Sequence, residues 1–176
     1  MKIKTVLLTA ITFLAVVASA PAAYESYFRA DDISGDSIRT AWTGHTAVIG
    51  YTHEVSAVRD SNGQPTGKRQ HAPFKILKEV SVNSPQFAGK LVRNQAIATA
   101  DLLLMKTDAN GVEINHYTYH FTGVKILSIR NWVANSAAAA SATYDTRELE
   151  EISFTYETIE WESLTARRSA TDSVRN

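Results

Sequence analysis

The sequence predicts a mainly β domain, either a β-barrel or a sandwich, that carries one short α-helix. Apolar and polar residues alternate with period two over several segments, as between His45 and Val55, and this spacing suits strands rather than helices. Asn-Gly pairs at 62–63 and 110–111 mark turns between such segments. A helix start is clearest at Ser84, where apolar residues then recur with helical spacing.

The elements follow one another with turn signals between them. Strands are predicted at 45–55, 74–82, 98–106, 114–129 and 149–161. The polar stretch 59–70 and the alanine- and serine-rich stretch 134–143 are predicted to be loops. In the last strand the alternation shifts by one residue between Tyr156 and Ile159, which indicates a β-bulge. The chain from Leu164 onward is polar, and we expect it to be frayed.

The helix is predicted to begin at Ser84-Pro85 and to end near Asn94. A serine at this position can accept hydrogen bonds from the free amides of the first turn. Proline at the first helical position has no amide to leave unpaired. Phe87 and Leu91 then fall on one side of the helix, which predicts the face that packs on the sheet.

Composition excludes several classes of protein. The 176 residues suit one domain, and 18 basic residues balance 18 acidic ones, so bulk charge does not favour nucleic-acid binding. The chain has no cysteine, which excludes disulfides, cysteine-ligated zinc, iron–sulfur clusters and a thiol nucleophile.

The first 22 residues have the features of a signal peptide. Lys2 and Lys4 precede an apolar run at 5–17, and small residues follow it, so we expect cleavage after Ala22. The run is too short for a stable membrane span, although an uncleaved N-terminal anchor is the alternative. Without Lys2 and Lys4, 16 basic residues remain against 18 acidic ones, a net charge of −2. The sequence therefore predicts an exported protein, secreted or periplasmic, with a domain at 23–163 and a polar tail at 164–176.

No catalytic, cofactor-binding or metal-binding constellation emerges from the residues. His116 and His120 have the spacing of two zinc ligands on a helix, but in a strand their Cα atoms would be about 13 Å apart. The segment 63–69 differs from a phosphate-binding loop in its spacing and in the strand that follows it. Six glutamates are predicted to form the solvated face of the last strand and its preceding turn: Glu148, Glu150, Glu151, Glu157, Glu160 and Glu162.

Three stretches in order resemble the Hcp (hemolysin-coregulated protein) family, whose members form the tube of type VI secretion systems. The first stretch is 27–37 (YFRADDISGDS), and the second runs from 66 to 85, including His71-Ala-Pro-Phe74, Lys78-Glu79 and Ser84-Pro85. The third is the pair of strands at 113–129 and 149–161, with Ile152-Ser-Phe-Thr-Tyr156 and Ile159-Glu-Trp161. Together they cover residues 25–163.

The resemblance implies a compact β-barrel of two sheets with one short helix on its flank. It also implies a ring-shaped homohexamer, rings that stack into a tube, and no catalytic residues or cofactor. The partners that it implies are effector or cargo proteins and other components of the secretion machine. The family's stacking loop corresponds to 59–70, so the expected contacts are Asn62, Gly63, Gly67, Lys68 and Arg69. Because family members leave without a cleaved signal, the signal peptide keeps a second function open: an exported binding module that retains the barrel but not the tube role.

Overall fold

The computed structural model describes residues 25–133 and 147–174, which form eleven strands, one α-helix and one 3-10 turn. The prediction of a mainly β fold with one helix is confirmed. The predicted signal peptide, its predicted cleavage site and the predicted loop at 134–143 lie outside the described residues. The first six strands are β1 (Ser26–Ala30), β2 (Thr46–Val48), β3 (Gly50–Thr52), β4 (Val55–Arg59), β5 (Pro65–His71) and β6 (Phe74–Glu79). The others are β7 (Ile97–Thr107), β8 (Glu113–Val133), β9 (Glu148–Thr155), β10 (Thr158–Ser163) and β11 (Arg168–Ser173), with the helix α1 at Ser84–Val92 and the 3-10 turn at Thr40–Trp42.

Nine strands join in one hydrogen-bonded sheet that folds over into two halves. Its main path is β2-β1-β7-β8-β9-β6-β3, and β10 pairs with both β8 and β11. The long strand β8 belongs to both halves, because residues 113–124 pair with β7 and residues 125–133 pair with β9. All of these pairings are antiparallel.

The predicted barrel is wrong, because the sheets are not closed. The two ends of the path, β2 and β3, pair with β1 and β6 respectively and not with each other. Only Ile49 separates them along the chain, whereas antiparallel partners need a connection of about two residues or more. The polypeptide itself therefore links the two halves at this point, where a barrel would have a ladder of hydrogen bonds.

The core lies between the two halves of the sheet. Phe28, Phe74, Phe121 and Phe154 are each at most 1% exposed, and they come from four different strands. The Phe154 ring centroid lies 5.7 Å from that of Phe28 and 5.3 Å from those of Phe74 and Phe121. Alternation along each strand produces this packing, since every second side chain points to the same face.

Helix α1 begins at Ser84 as predicted and packs Phe87 against the core. Phe87 is 1% exposed, and its ring centroid lies 6.3 Å from that of Phe28. The role predicted for Ser84 is wrong, however: Asn83 occupies the N-cap position, without a side-chain cap, and the Ser84 hydroxyl donates to Glu150 Oε2 at 2.9 Å.

Of the helices in the described part of the chain, none is both long enough and apolar enough to cross a membrane.

Four predictions of secondary structure need correction. The 45–55 segment is divided among β2, β3 and the start of β4, because the chain changes its pairing partner twice. The 59–70 segment is largely strand, since β4 and β5 form a hairpin around residues 60–64. The last strand is two strands, β9 and β10, which pair with different parts of β8. The segment expected to be frayed contains β11, which pairs with β10.

The division between β9 and β10 coincides with a glycine on their shared partner. Gly123 of β8 has a φ of +61°, a left-handed conformation that favours glycine. A Cβ at this position would also collide with the side chain of Glu157, which lies between β9 and β10. The shift in alternation that predicts a bulge therefore marks the crossing of the chain from one half of the sheet to the other.

Candidate functional site: the β4–β5 hairpin and its anchor

The β4–β5 hairpin is exposed on both faces. Every residue of β4 is exposed, and so is every residue of β5 before His71. The two strands pair with each other in a separate two-stranded sheet. Because an isolated hairpin is at best marginally stable in water, its position must depend on side chains near its base.

The five residues predicted for ring stacking all lie in this hairpin. Asn62 and Gly63 are in the turn, whereas Gly67, Lys68 and Arg69 are on β5. The turn is organised by Asp60, whose Oδ1 accepts hydrogen bonds from the amides of Asn62 (2.9 Å) and Gln64 (2.8 Å). The structure thus places the predicted residues on the turn and on one strand of a single exposed element.

Four side chains at the base of the hairpin form what we call the hairpin anchor: His53, His71, Tyr156 and Asp172. The Tyr156 hydroxyl lies 3.0 Å from His53 Nε2 and 2.9 Å from His71 Nδ1. His71 Nε2 lies 3.0 Å from Asp172 Oδ2. A single set of neutral tautomers satisfies every contact: His71 donates to Asp172, Tyr156 donates to His71, and His53 donates to the Tyr156 oxygen.

A guanidinium from the hairpin adds a charge to the anchor. Arg69 donates through Nε and Nη2 to the two carboxylate oxygens of Asp172, a bidentate ion pair. The hydrogen bond from Arg69 is the main cause that holds the pKa of Asp172 at about 2. Burial raises the pKa of Tyr156 to about 12. Burial, reinforced by the neighbouring His71, lowers the pKa of His53. The anchor is therefore built around a carboxylate that stays ionised and a tyrosine that stays neutral.

Ring contacts connect the two histidines of the hairpin anchor to aromatic residues of the sheet. The His53 ring centroid lies 5.0 Å from that of Phe74 and 5.9 Å from that of Trp161. The His71 and Trp161 rings are stacked at 6.5 Å. The base of the hairpin is thus held by ring contacts as well as hydrogen bonds, whereas the turn residues 60–64 are exposed.

The two histidines considered for zinc, His116 and His120, have different surroundings. His120 lies between two carboxylates, with Nδ1 2.7 Å from Asp101 Oδ1 and Nε2 3.1 Å from Glu162 Oε2. His116 is the residue skipped in the register between β7 and β8. Within residues 25–133 and 147–174, no three histidine or acidic side chains come together in a group that could hold a metal ion.

Burial lowers the pKa of His120, but the hydrogen bonds and charges of Asp101 and Glu162 outweigh it, so that the pKa is raised. Arg29 also forms an ion pair with Asp101. The resulting row of charges crosses β1, β7, β8 and β10 on the face of the sheet opposite Phe28 and Leu102.

One of the six glutamates assigned to a solvated face is fully buried. Glu150 is 1% exposed, and its Oε2 lies 3.1 Å from Nζ of the equally buried Lys78. The ammonium also donates to Glu79 O at 2.6 Å and to the hydroxyls of Ser81 and Ser84, both at 3.0 Å. This network ties β6 and β9 to the start of α1. The lysine and both serines of the 78–85 motif thus belong to one buried network, which their local spacing does not predict.

Comparisons with known proteins agree with this fold. The family model for "Type VI secretion system effector, Hcp" matches residues 27–162. The "Major exported protein" of Pseudomonas aeruginosa is 28% identical over 147 residues, which cover 83% of this chain and 84% of that protein. A crystal structure of an Hcp protein has a TM-score of 0.74 at 20% identity, and covers 88% of this chain and 99% of its own. Hcp1 from E. coli has a TM-score of 0.72 at 23% identity, with coverages of 85% and 97%.

The family match extends over well more than half of the chain, from β1 to near the end of β10. It includes all three stretches that carry the resemblance in the sequence. The chain therefore belongs to the Hcp family of type VI secretion system proteins.

Proposed function

We propose that the protein is a structural subunit of a type VI secretion tube that assembles as a ring-shaped homohexamer. The observation that carries this proposal is the Hcp family match over residues 27–162. The same fold in solved Hcp structures supports it. The protein acts by assembly rather than by catalysis, and effector or cargo proteins are held in the ring by surface contact.

Ring closure uses a head-to-tail contact between neighbouring subunits. Such a contact joins two different surfaces of the subunit, and it forms a closed ring when the rotation between subunits closes. The open sheet leaves strand edges at β2, β3 and β11 on this subunit. These edges, together with the exposed side of α1, are the surfaces through which neighbours join.

Stacking of rings uses the β4–β5 hairpin, with contacts at Asn62, Gly63, Gly67, Lys68 and Arg69. The hairpin is exposed on both faces, and among the described residues β4 and β5 form a ladder only with each other. A second ring can therefore reach both the backbone and the side chains of the hairpin. Lys68 supplies an exposed cation for an acidic surface of the next ring.

The protein is exported, with residues 1–22 removed as a signal peptide after Ala22. The domain extends over 23–163, and the polar segment 164–176 adds β11 to its sheet. The name of the Pseudomonas aeruginosa relative, "Major exported protein", supports export. The signal peptide also supports a second function, an exported binding module that works outside the sheathed machine.

Light scattering on residues 23–176 tests ring formation. The tube function predicts a species of six times the subunit mass that persists on dilution. A monomer at high concentration would contradict it and favour the binding module.

Stacking is tested separately with Lys68→Glu, which reverses a charge on the hairpin. We expect hexamers to remain and stacked rings to disappear in electron micrographs. Lys125→Glu, on β8, is the matched control because Lys125 is exposed like Lys68, and it should stack like the wild type. Equal stacking by both variants would contradict the role of the hairpin.

A further inference from the structure

The hairpin depends on one carboxylate from the far end of the chain. Asp172 lies on β11, and it contacts two side chains of β5 at once. Its two oxygens accept from the Arg69 guanidinium, and Oδ2 lies 3.0 Å from His71 Nε2. The Asp172 side chain is 11% exposed, although the Arg69 side chain is 52% exposed. The carboxylate is therefore largely shielded from water where it meets the hairpin.

The position of Asp172 is set by the pairing of β11 with β10. β11 pairs with β10 over six residues, and in that ladder Asp172 is opposite Ile159, which is fully buried. The backbone amide of Ser173 also donates to Asp172 Oδ1 at 2.8 Å, which orients the carboxylate. A side chain held in this way can restrain the exposed hairpin that it contacts.

β11 also lies outside the part of the chain that the family model matches. The match ends at residue 162, whereas β11 begins at Arg168. In the described part of the chain, every buried apolar residue precedes β11, and the last of them is Ile159. The C-terminal strand contributes a contact to the hairpin rather than a layer to the core, since the first four of its six residues are exposed.

We propose that β11 is a clamp for the β4–β5 hairpin and that Asp172 is the positioning residue of this clamp. By holding Arg69 and His71, Asp172 fixes the direction in which the hairpin leaves the body of the subunit. A hairpin that is already ordered loses less conformational entropy when it docks on another molecule. This part rests on the proposed function: the clamp prepares the hairpin to contact the next ring.

The clamp is tested first on the hairpin itself, in whatever oligomeric state the protein has. Asp172→Asn keeps the shape of the side chain but removes its charge. We expect amides of residues 55–71 to exchange about tenfold faster, as follows from losing a charge-assisted ion pair that is partly exposed. Trypsin should also cut more readily after Arg59 and Lys68, while the melting temperature changes little.

Glu160→Gln is the charge-matched control, because it removes one negative charge from β10, the strand that pairs with β11. Its hairpin should exchange and be cut like the wild type. Arg69→Gln breaks the same ion pair from the hairpin side, so the double variant Asp172→Asn/Arg69→Gln should exchange no faster than the faster single variant. Unchanged exchange and unchanged cleavage in Asp172→Asn would overturn the clamp. Additive effects of the two substitutions would overturn it as well.

The link to stacking has its own readout. If wild-type hexamers stack, Asp172→Asn should keep the hexamer mass and form at least about tenfold fewer stacked rings at equal concentration, and Asp172→Glu should recover part of the loss. Full stacking by Asp172→Asn would overturn the positioning role even if the hairpin is loosened. If the wild type forms no rings, the tube function fails, and the exchange experiment still decides whether the clamp exists.

Discussion

Replacing Lys78 with methionine should destabilise the protein by about 3–5 kcal/mol, because it leaves the Glu150 carboxylate buried without its cation. The two side chains are 1% and 2% exposed, and Nζ lies 3.1 Å from Oε2. Methionine is close to lysine in length and volume, so the packing around the side chain should be largely retained. The loss therefore comes from electrostatics and hydrogen bonding rather than from a cavity.

The local contacts set the size of this effect. Lys78 Nζ makes four contacts, to Glu79 O, Ser81 Oγ, Ser84 Oγ and Glu150 Oε2, and all four are lost. The Ser84 hydroxyl still donates to Glu150 at 2.9 Å, so the carboxylate keeps one partner. In a protein of this size each kcal/mol lowers the melting temperature by about 2–4 °C, so we expect a decrease of roughly 10 °C.

Urea denaturation measures the loss as a change in the free energy of unfolding at unchanged m-value. Lys75→Met is the matched control, because Lys75 is on the same strand and pairs with Glu151 at 3.5 Å while remaining 46% exposed. This control should lower the free energy of unfolding by less than about 1 kcal/mol. The double variant Lys78→Met/Glu150→Leu should recover most of the loss, since no charge is then left buried.

Two results would refute this reasoning. If Lys78→Met lowered the free energy of unfolding no more than Lys75→Met, burial of the Lys78–Glu150 pair would not be the source of the loss. If the double variant were as unstable as Lys78→Met alone, an uncompensated carboxylate would not be the cause of the loss.

Three further predictions concern the anchor, the charged row and the helix. Because the folded state lowers the pKa of His53, the unfolded chain takes up a proton at this histidine first as the pH falls. The neutral His53 therefore contributes to the free energy of unfolding above about pH 6.5, and this contribution is lost as the pH falls through the lowered pKa. Hydrogen exchange of the hairpin, corrected for intrinsic rates, should thus show weaker protection at pH 5 than at pH 7, and equal protection would contradict it. Because the pKa of His120 is raised, the protonated His120 stabilises the fold below about pH 6.5, and this stabilisation is lost as the pH rises through the raised pKa. In urea denaturation, His120→Gln should therefore lower the free energy of unfolding more at pH 6 than at pH 9. An equal cost at both pH values would show that its charge contributes nothing. Phe87→Ala should lower the free energy of unfolding by about 3–5 kcal/mol. Val92→Ala, at an 80% exposed position of the same helix, should lower it by less than about 0.5 kcal/mol. Equal losses would show that the buried face does not hold the helix.

The candidate site was predictable from the sequence only in part. The polar composition of residues 59–70 identified an exposed segment, and all five residues assigned to stacking lie in it. That the segment is a strand hairpin was not predictable, because its residues do not alternate between apolar and polar. Asp172 was missed for the same reason, since β11 (RSATDS) contains no large apolar residue and shows no alternation of apolar and polar residues.

The sequence by itself determined the family, the mainly β class and the start of the single helix in the described chain, because these depend on local spacing and on motifs that short segments carry. Only the tertiary structure decided that the sheet stays open, that Glu150 is buried and that the hairpin is anchored. Lys78 and Glu150 are 72 positions apart in the chain, and Arg69 and Asp172 are 103 apart. Such pairs depend on strand register, and register is set by which faces meet in the core rather than by any property of the paired residues alone.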